Sequence, residues 1–182
     1  MADSNDYEYE ANGNLQTDGT FWYIYNDANQ LYEVREGGAG GDLVSRYLYN
    51  HEGRRTIKKE YTGGALVNST YYVGRDYEVQ LYNDETHNVT YYQANGELAA
   101  RKEGDSTFYY HNDHLTGTNL VTNNGGTVDE RMRYYPFGSM LKGGDSKYTY
   151  TGQESDKETG LMYYGARYYN PEIRRFTSPD PS

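Results

Sequence analysis

Short clusters of Asn, Asp and Gly cut this chain into segments of about four to eight residues, and that punctuation decides what it can fold into. Asp18-Gly19, Asn26 to Asn29, Gly37 to Gly41, Asn50 to Gly53, Gly63-Gly64, Asn95-Gly96 and Asn124 to Gly126 each separate two such segments. Asn-Gly and Gly-Gly pairs reach the positive φ values that tight hairpins need. The segments between them (20–25, 31–35, 43–49, 54–61, 66–73, 89–92, 97–101, 119–122 and 127–134) show no helical period and read as strands. The expected fold is all-β, with antiparallel hairpins following one another in a single long curled sheet.

A sheet needs something to bury, and here aliphatics are scarce. Leu, Ile, Val and Phe together make 26 of 182 residues, and the net charge is −10. A chain with those two properties alone sits near the disordered class. The 24 tyrosines change the balance, because each carries a large apolar ring with one polar tip. Tyr7/Tyr9, Tyr23/Tyr25, Tyr47/Tyr49 and Tyr148/Tyr150 are two apart and share a strand face. Adjacent pairs such as Tyr71-Tyr72, Tyr91-Tyr92 and Tyr163-Tyr164 straddle the sheet. The expected core is thin and built from rings. The strand charges Arg46, Lys58, Glu60, Arg101, Glu103, Arg131 and Arg133 read as a mostly solvated face.

The chain has no cysteine, which excludes disulfides, thiolate metal sites and cysteine nucleophiles. Its apolar runs are too short to span a bilayer, so no membrane insertion is expected. A pI near 4.8 argues against a nucleic-acid partner. The residues Met1 to Asp6 are acidic and polar, unlike a signal peptide.

Three segments share one form. Tyr7 to Leu15, Tyr23 to Leu31 and Tyr47 to Arg55 fit Tyr-x-Tyr-Asp-x-x-Gly-x-Leu, with Glu10, Asn26 and Asn50 at the aspartate position. An Asp, Asn or Glu there starts a turn by accepting backbone N–H groups, and Gly or Asn takes the left-handed position. The second half holds a series of motifs. Tyr109, Tyr110, Asp113, His114 and Leu115 come first, then Tyr135, Pro136, Phe137 and Gly138. Thr151, Gly152, Gln153 and Glu154 follow, then Thr159, Gly160 and Leu161. Ala166, Arg167, Tyr168, Tyr169 and Pro171 lead to Arg175, Phe176, Pro179, Asp180 and Pro181. In this order and spacing the chain resembles the YD/RHS repeat family, which includes bacterial Rhs and Tc-toxin-type proteins and teneurin-like proteins.

The resemblance implies hairpin repeats over 1–106 and an RHS-core-like segment over 107–182, truncated at its C-terminal end. In toxin-carrying members, aspartate-dependent self-cleavage belongs to a region past this point. The motif residues are expected to be structural. Thr116-Gly117 stands where the family commonly has Gly-Ser, and Arg174 where it commonly has Gly, which puts the geometry of those two turns in question.

No spacing singles out a nucleophile, a general acid–base pair or a metal set. His111 and His114 are three apart, so a strand sends them to opposite faces, and a structural reading, with Asp113 and His114 hydrogen-bonded at the sheet end, outranks a metal. The expected function is non-catalytic: part of a shell that encloses or presents a toxin or effector, with no cofactor and no metal. Its partners would be the remaining shell and the cargo, in a secreted, cell-surface or delivered protein. Two other readings stay open: a glycan- or protein-binding module using exposed tyrosines, and a homo-oligomer built edge to edge.

Overall fold

The computed structural model describes residues 7–180, and every regular element among them is a strand apart from one 3₁₀ turn at Tyr150–Gly152. Thirteen strands form one antiparallel sheet in chain order. They are β1 (Glu8–Tyr9), β2 (Leu15–Thr17), β3 (Phe21–Tyr25), β4 (Leu31–Glu36), β5 (Asp42–Tyr49), β6 (Arg55–Thr62) and β7 (Ala65–Tyr72). After these come β8 (Tyr77–Tyr82), β9 (Glu85–Ala94), β10 (Glu97–Glu103), β11 (Ser106–Asn112), β12 (Thr118–Asn123) and β13 (Val128–Arg131). A hairpin of β14 (Arg133–Tyr134) and β15 (Met140–Lys142) follows. A four-stranded sheet of β16 (Glu154–Asp156), β17 (Leu161–Tyr163), β18 (Tyr168–Asn170) and β19 (Arg175–Phe176) completes the chain.

One turn design closes six hairpins, and Thr149 to Gln153 repeats its backbone hydrogen bonds with Gly152 left-handed. A residue at position 1 exchanges backbone hydrogen bonds with positions 4 and 5, and position 4 is left-handed. Glu10, Asn26, Asn50, Asp113, Asn123 and Tyr135 hold position 1. Gly13, Asn29, Gly53, Thr116, Gly126 and Gly138 hold position 4, with φ between +60° and +94°. Where position 1 is Asn or Asp, its side-chain oxygen accepts the N–H of positions 3 and 5: Ala28 and Gln30 onto Asn26, Glu52 and Arg54 onto Asn50, Leu115 and Gly117 onto Asp113, Gly125 and Thr127 onto Asn123. A register slip lies within or next to the strand pair at each of these turns, the mark of a loop closed by a bulge. Two-residue turns link other strands. Asn83-Asp84 joins β8 to β9 with φ of 53° and 60°, a pairing that the short positive-φ preference of Asn and Asp allows.

The long antiparallel sheet is as expected, and a small four-stranded sheet is folded back on it. Leu161 and Tyr168 from the small sheet enter the same core as Leu15, Tyr23, Leu31, Val34 and Tyr47 from β2 to β5. The Tyr47 and Tyr168 rings pack with a tilt of 36°, 4.9 Å between centroids. The Leu15 N–H donates to the Thr177 carbonyl at 2.7 Å, which ties the last strand region to the first repeat. A second, smaller core of Tyr110, Val121 and Met132 lies further along the sheet. The long sheet runs through residue 107 without a break, so the motif division is not a division of the sheet.

Candidate functional site

The C-terminal module meets the long sheet along a buried ionic seam. Repeat position 9 explains how it arises. Leu15 and Leu31 occupy that position in the first two repeats and are fully buried. The third repeat places Arg55 there, and it is equally buried. A guanidinium in a leucine's place must find counter-charge, since an unpaired buried charge costs several kcal/mol. Its Nη1 donates to Asp156 at 2.6 Å and its Nη2 pairs with Glu154 at 2.7 Å. The same group lies 4.3 Å from the centre of the Tyr163 ring, with the Tyr47, Tyr72 and Tyr168 rings around it. Cation–π attraction is strongest where water is absent, as here.

Lys58, three residues further along β6, donates to Asp156 at 3.0 Å and to Glu60 at 2.9 Å, and lies 3.5 Å from Glu158. Lys147 bridges Glu78 and Glu154. The Tyr72 hydroxyl donates to Glu154 at 2.6 Å, the Tyr91 hydroxyl to Glu78 at 2.8 Å and the Ser45 hydroxyl to Glu158 at 2.7 Å. Three cations thus face five carboxylates. Burial pushes the Glu154 carboxyl up, but Arg55, Lys147 and Lys58 outweigh it and hold the group at about 2. Burial also pushes Glu158 up, and with Asp156 and Glu60 adding repulsion against the single Lys58 it stands at about 7. Lys58 itself is held above its ordinary value by the carboxylates, against its own burial.

This corrects the reading of Lys58 and Glu60 as a solvated face. Lys58 is buried, and Glu60 is partly buried in the same network. The seam was missed because strand alternation cannot tell an inward charge from an outward one. Arg at a leucine position of the repeat is the signal that would have found it.

The motif residues sit as follows. Tyr110 is buried and Tyr109 exposed, on opposite faces of β11. Asp113 caps its turn through two backbone N–H groups, while His114 and Leu115 are exposed at the turn tip. Tyr135, Pro136 and Phe137 are exposed on the β14–β15 hairpin, and Gly138 is packed against the Tyr150 ring. Thr151 and Gly152 are both left-handed, and the Gln153 side chain donates to the Thr151 carbonyl. Glu154 belongs to the seam. Thr159 and Gly160 turn the chain from β16 into Leu161. Tyr168 and Pro171 are buried; the Tyr169 hydroxyl donates to the Phe137 carbonyl. Arg167 stacks on Phe176 at 3.8 Å and pairs with Asp180 at 2.8 Å, while Ala166 is exposed beside them. Arg175 is exposed and Pro179 packs near Gly13. Pro181 lies outside the described residues.

Thr116 and Arg174 adopt φ of 63° and 61°, so both turns keep the left-handed geometry without the glycine that favours it. Among the described residues no three His, Asp or Glu side chains form a group that could hold a metal ion. A groove of about 600 Å³ on β7 to β9 is lined by Tyr71, Leu81 and Tyr82, but one face of the Tyr82 ring is taken by His87, stacked at 3.9 Å.

Comparison with known proteins places this arrangement. The family model described as Teneurin YD-shell matches residues 1–182. The chain is 31% identical over 183 residues to the tRNA3(Ser)-specific nuclease WapA of Bacillus spizizenii, covering 95% of this chain and 8% of that protein. It is 38% identical over 82 residues to the toxin subunit YenC1 of Yersinia entomophaga, covering 40% of this chain and 8% of that one. The crystal structure of TcdB2-TccC3-Cdc42 shares the fold with a TM-score of 0.81 at 23% identity, over 95% of this chain and 10% of that one. The chain thus spans about a tenth or less of each of these three proteins.

Proposed function

This chain belongs to the Teneurin YD-shell family, and from that premise we propose that it is a non-catalytic wall segment of a β-shell that encloses or presents a larger polypeptide cargo. The observation that carries the reading is the continuous sheet: thirteen strands pair strictly in chain order, and the module sits on one face only. A wall that grows by adding repeats has this form. The nuclease name of one relative is not carried over, because the match covers 8% of that protein and the geometry here supplies turn caps and ion pairs rather than a reacting centre. The motif residues act as turn caps and packing groups within the wall. The remaining shell and its cargo are the partners, in a secreted or delivered protein.

Electron cryomicroscopy of the polypeptide that carries these residues tests the reading. The expected image is a hollow shell with this segment in its wall and density inside. A solid domain with no cavity would contradict it, as would hydrolysis of tRNA by this chain.

A further inference from the structure

We propose that the seam is a proton-operated latch: Glu158 holds a proton when the C-terminal module is seated on the sheet, and losing that proton loosens the module from the wall. The geometry sets this up. Three cations meet five carboxylates in a largely buried interface, so two negative charges are in excess. Arg55 is committed to Glu154 and Asp156, and Lys147 to Glu78 and Glu154. Lys58 alone must serve Glu60, Asp156 and Glu158, and Glu158 is its most distant partner at 3.5 Å.

Every group facing Glu158 can be named. Lys58 and Glu60 come from β6, Asp156 from β16, and Ser45 and the Tyr47 ring from β5. Glu60 and Glu158 both turn toward the one Lys58 ammonium, at 2.9 and 3.5 Å, and like charges crowded on one cation favour a proton on the more distant of them. A polar crevice of about 190 Å³, lined by Lys58, Glu60, Asn68, Thr70, Lys147 and Ser155, opens beside the network.

The sign follows from linkage. Glu158 ionises near 7 when seated and in the ordinary carboxylate range when released. Its contribution is fully present below the released value and is lost as pH rises through 7. Glu154 works in the opposite sense, stabilising above the ordinary range and failing as pH falls toward 2. The seat is tightest in mild acid and loosens at and above neutrality.

The test is urea unfolding of the whole chain at pH 5.5 and pH 8, followed by near-ultraviolet tyrosine circular dichroism, for the native sequence and for Glu158→Gln. The amide mimics the protonated carboxyl. The folded-to-unfolded ratio of the native chain should fall roughly 20-fold more than that of Glu158→Gln over this range. Equal pH dependence in the two proteins overturns the latch. Should Glu158→Gln not fold, carbon NMR of the native chain decides: a Glu158 carboxyl titrating near 7 supports the proposal, and one titrating below 5 overturns it.

Discussion

Arg54 and Arg55 are neighbours in sequence and differ completely in setting. Arg54 points to solvent and reaches Glu52 at 3.8 Å, with both side chains mostly exposed. Arg55 is buried between two carboxylates and four rings. Arg55→Met should therefore cost about 3–5 kcal/mol by leaving buried Glu154 and Asp156 one cation short, with only Lys147 and Lys58 to serve them, while Arg54→Ala should stay within about 0.5 kcal/mol. Chemical denaturation of the two variants checks the contrast, and equal effects would deny the seam. Backbone strain gives a second residue-scale prediction. A β-branched side chain at φ +63° is costly, so Thr116→Gly should stabilise the chain by about 1 kcal/mol. Arg174→Gly should gain less, because Arg174 lies 4.7 Å above the Phe137 ring and that contact is lost. Gly138→Ala should do the reverse of both: its φ is +94°, and the new methyl would fall 2.6 Å from the Tyr150 ring. Melting temperatures read all three.

At the scale of elements, the hairpins were legible wherever a turn carried its own chemistry. Asn26, Asn50 and Asn95-Gly96 announce their turns because each offers a side-chain acceptor or a positive-φ pair. The β8–β9 hairpin was not legible, because Asn83-Asp84 contains no glycine, yet both residues accept positive φ. The four-stranded module was also missed as a separate sheet. Its strands are two or three residues long, too short for alternation to show. What commits it to the long sheet is Leu161 and Tyr168 entering the tyrosine core. Leu161→Ala should cost about 2–5 kcal/mol, as for a fully buried leucine in a packed site. A loss under 1 kcal/mol in urea unfolding would mean that the module rests loosely on the sheet.

For the whole molecule, tyrosine does the work that leucine does in an ordinary domain. Tyr23, Tyr47 and Tyr168 are buried at the centre, and their hydroxyls or neighbours connect to charge rather than to more apolar surface. The family was legible from motif order, since turn caps and ring pairs recur at fixed spacing. The seam was not, because it joins residues about a hundred positions apart through charges that local patterning assigns to solvent. In mild acid, where the seam is seated, the sheet and module should therefore open as one cooperative unit. Amide hydrogen exchange read by mass spectrometry on the intact chain tests this most directly. Segments 21–34, 45–60 and 161–170 should exchange slowly and together, while the exposed β14–β15 hairpin exchanges fast. Exchange of 161–170 within seconds while 45–60 stays protected would contradict a module locked onto the wall.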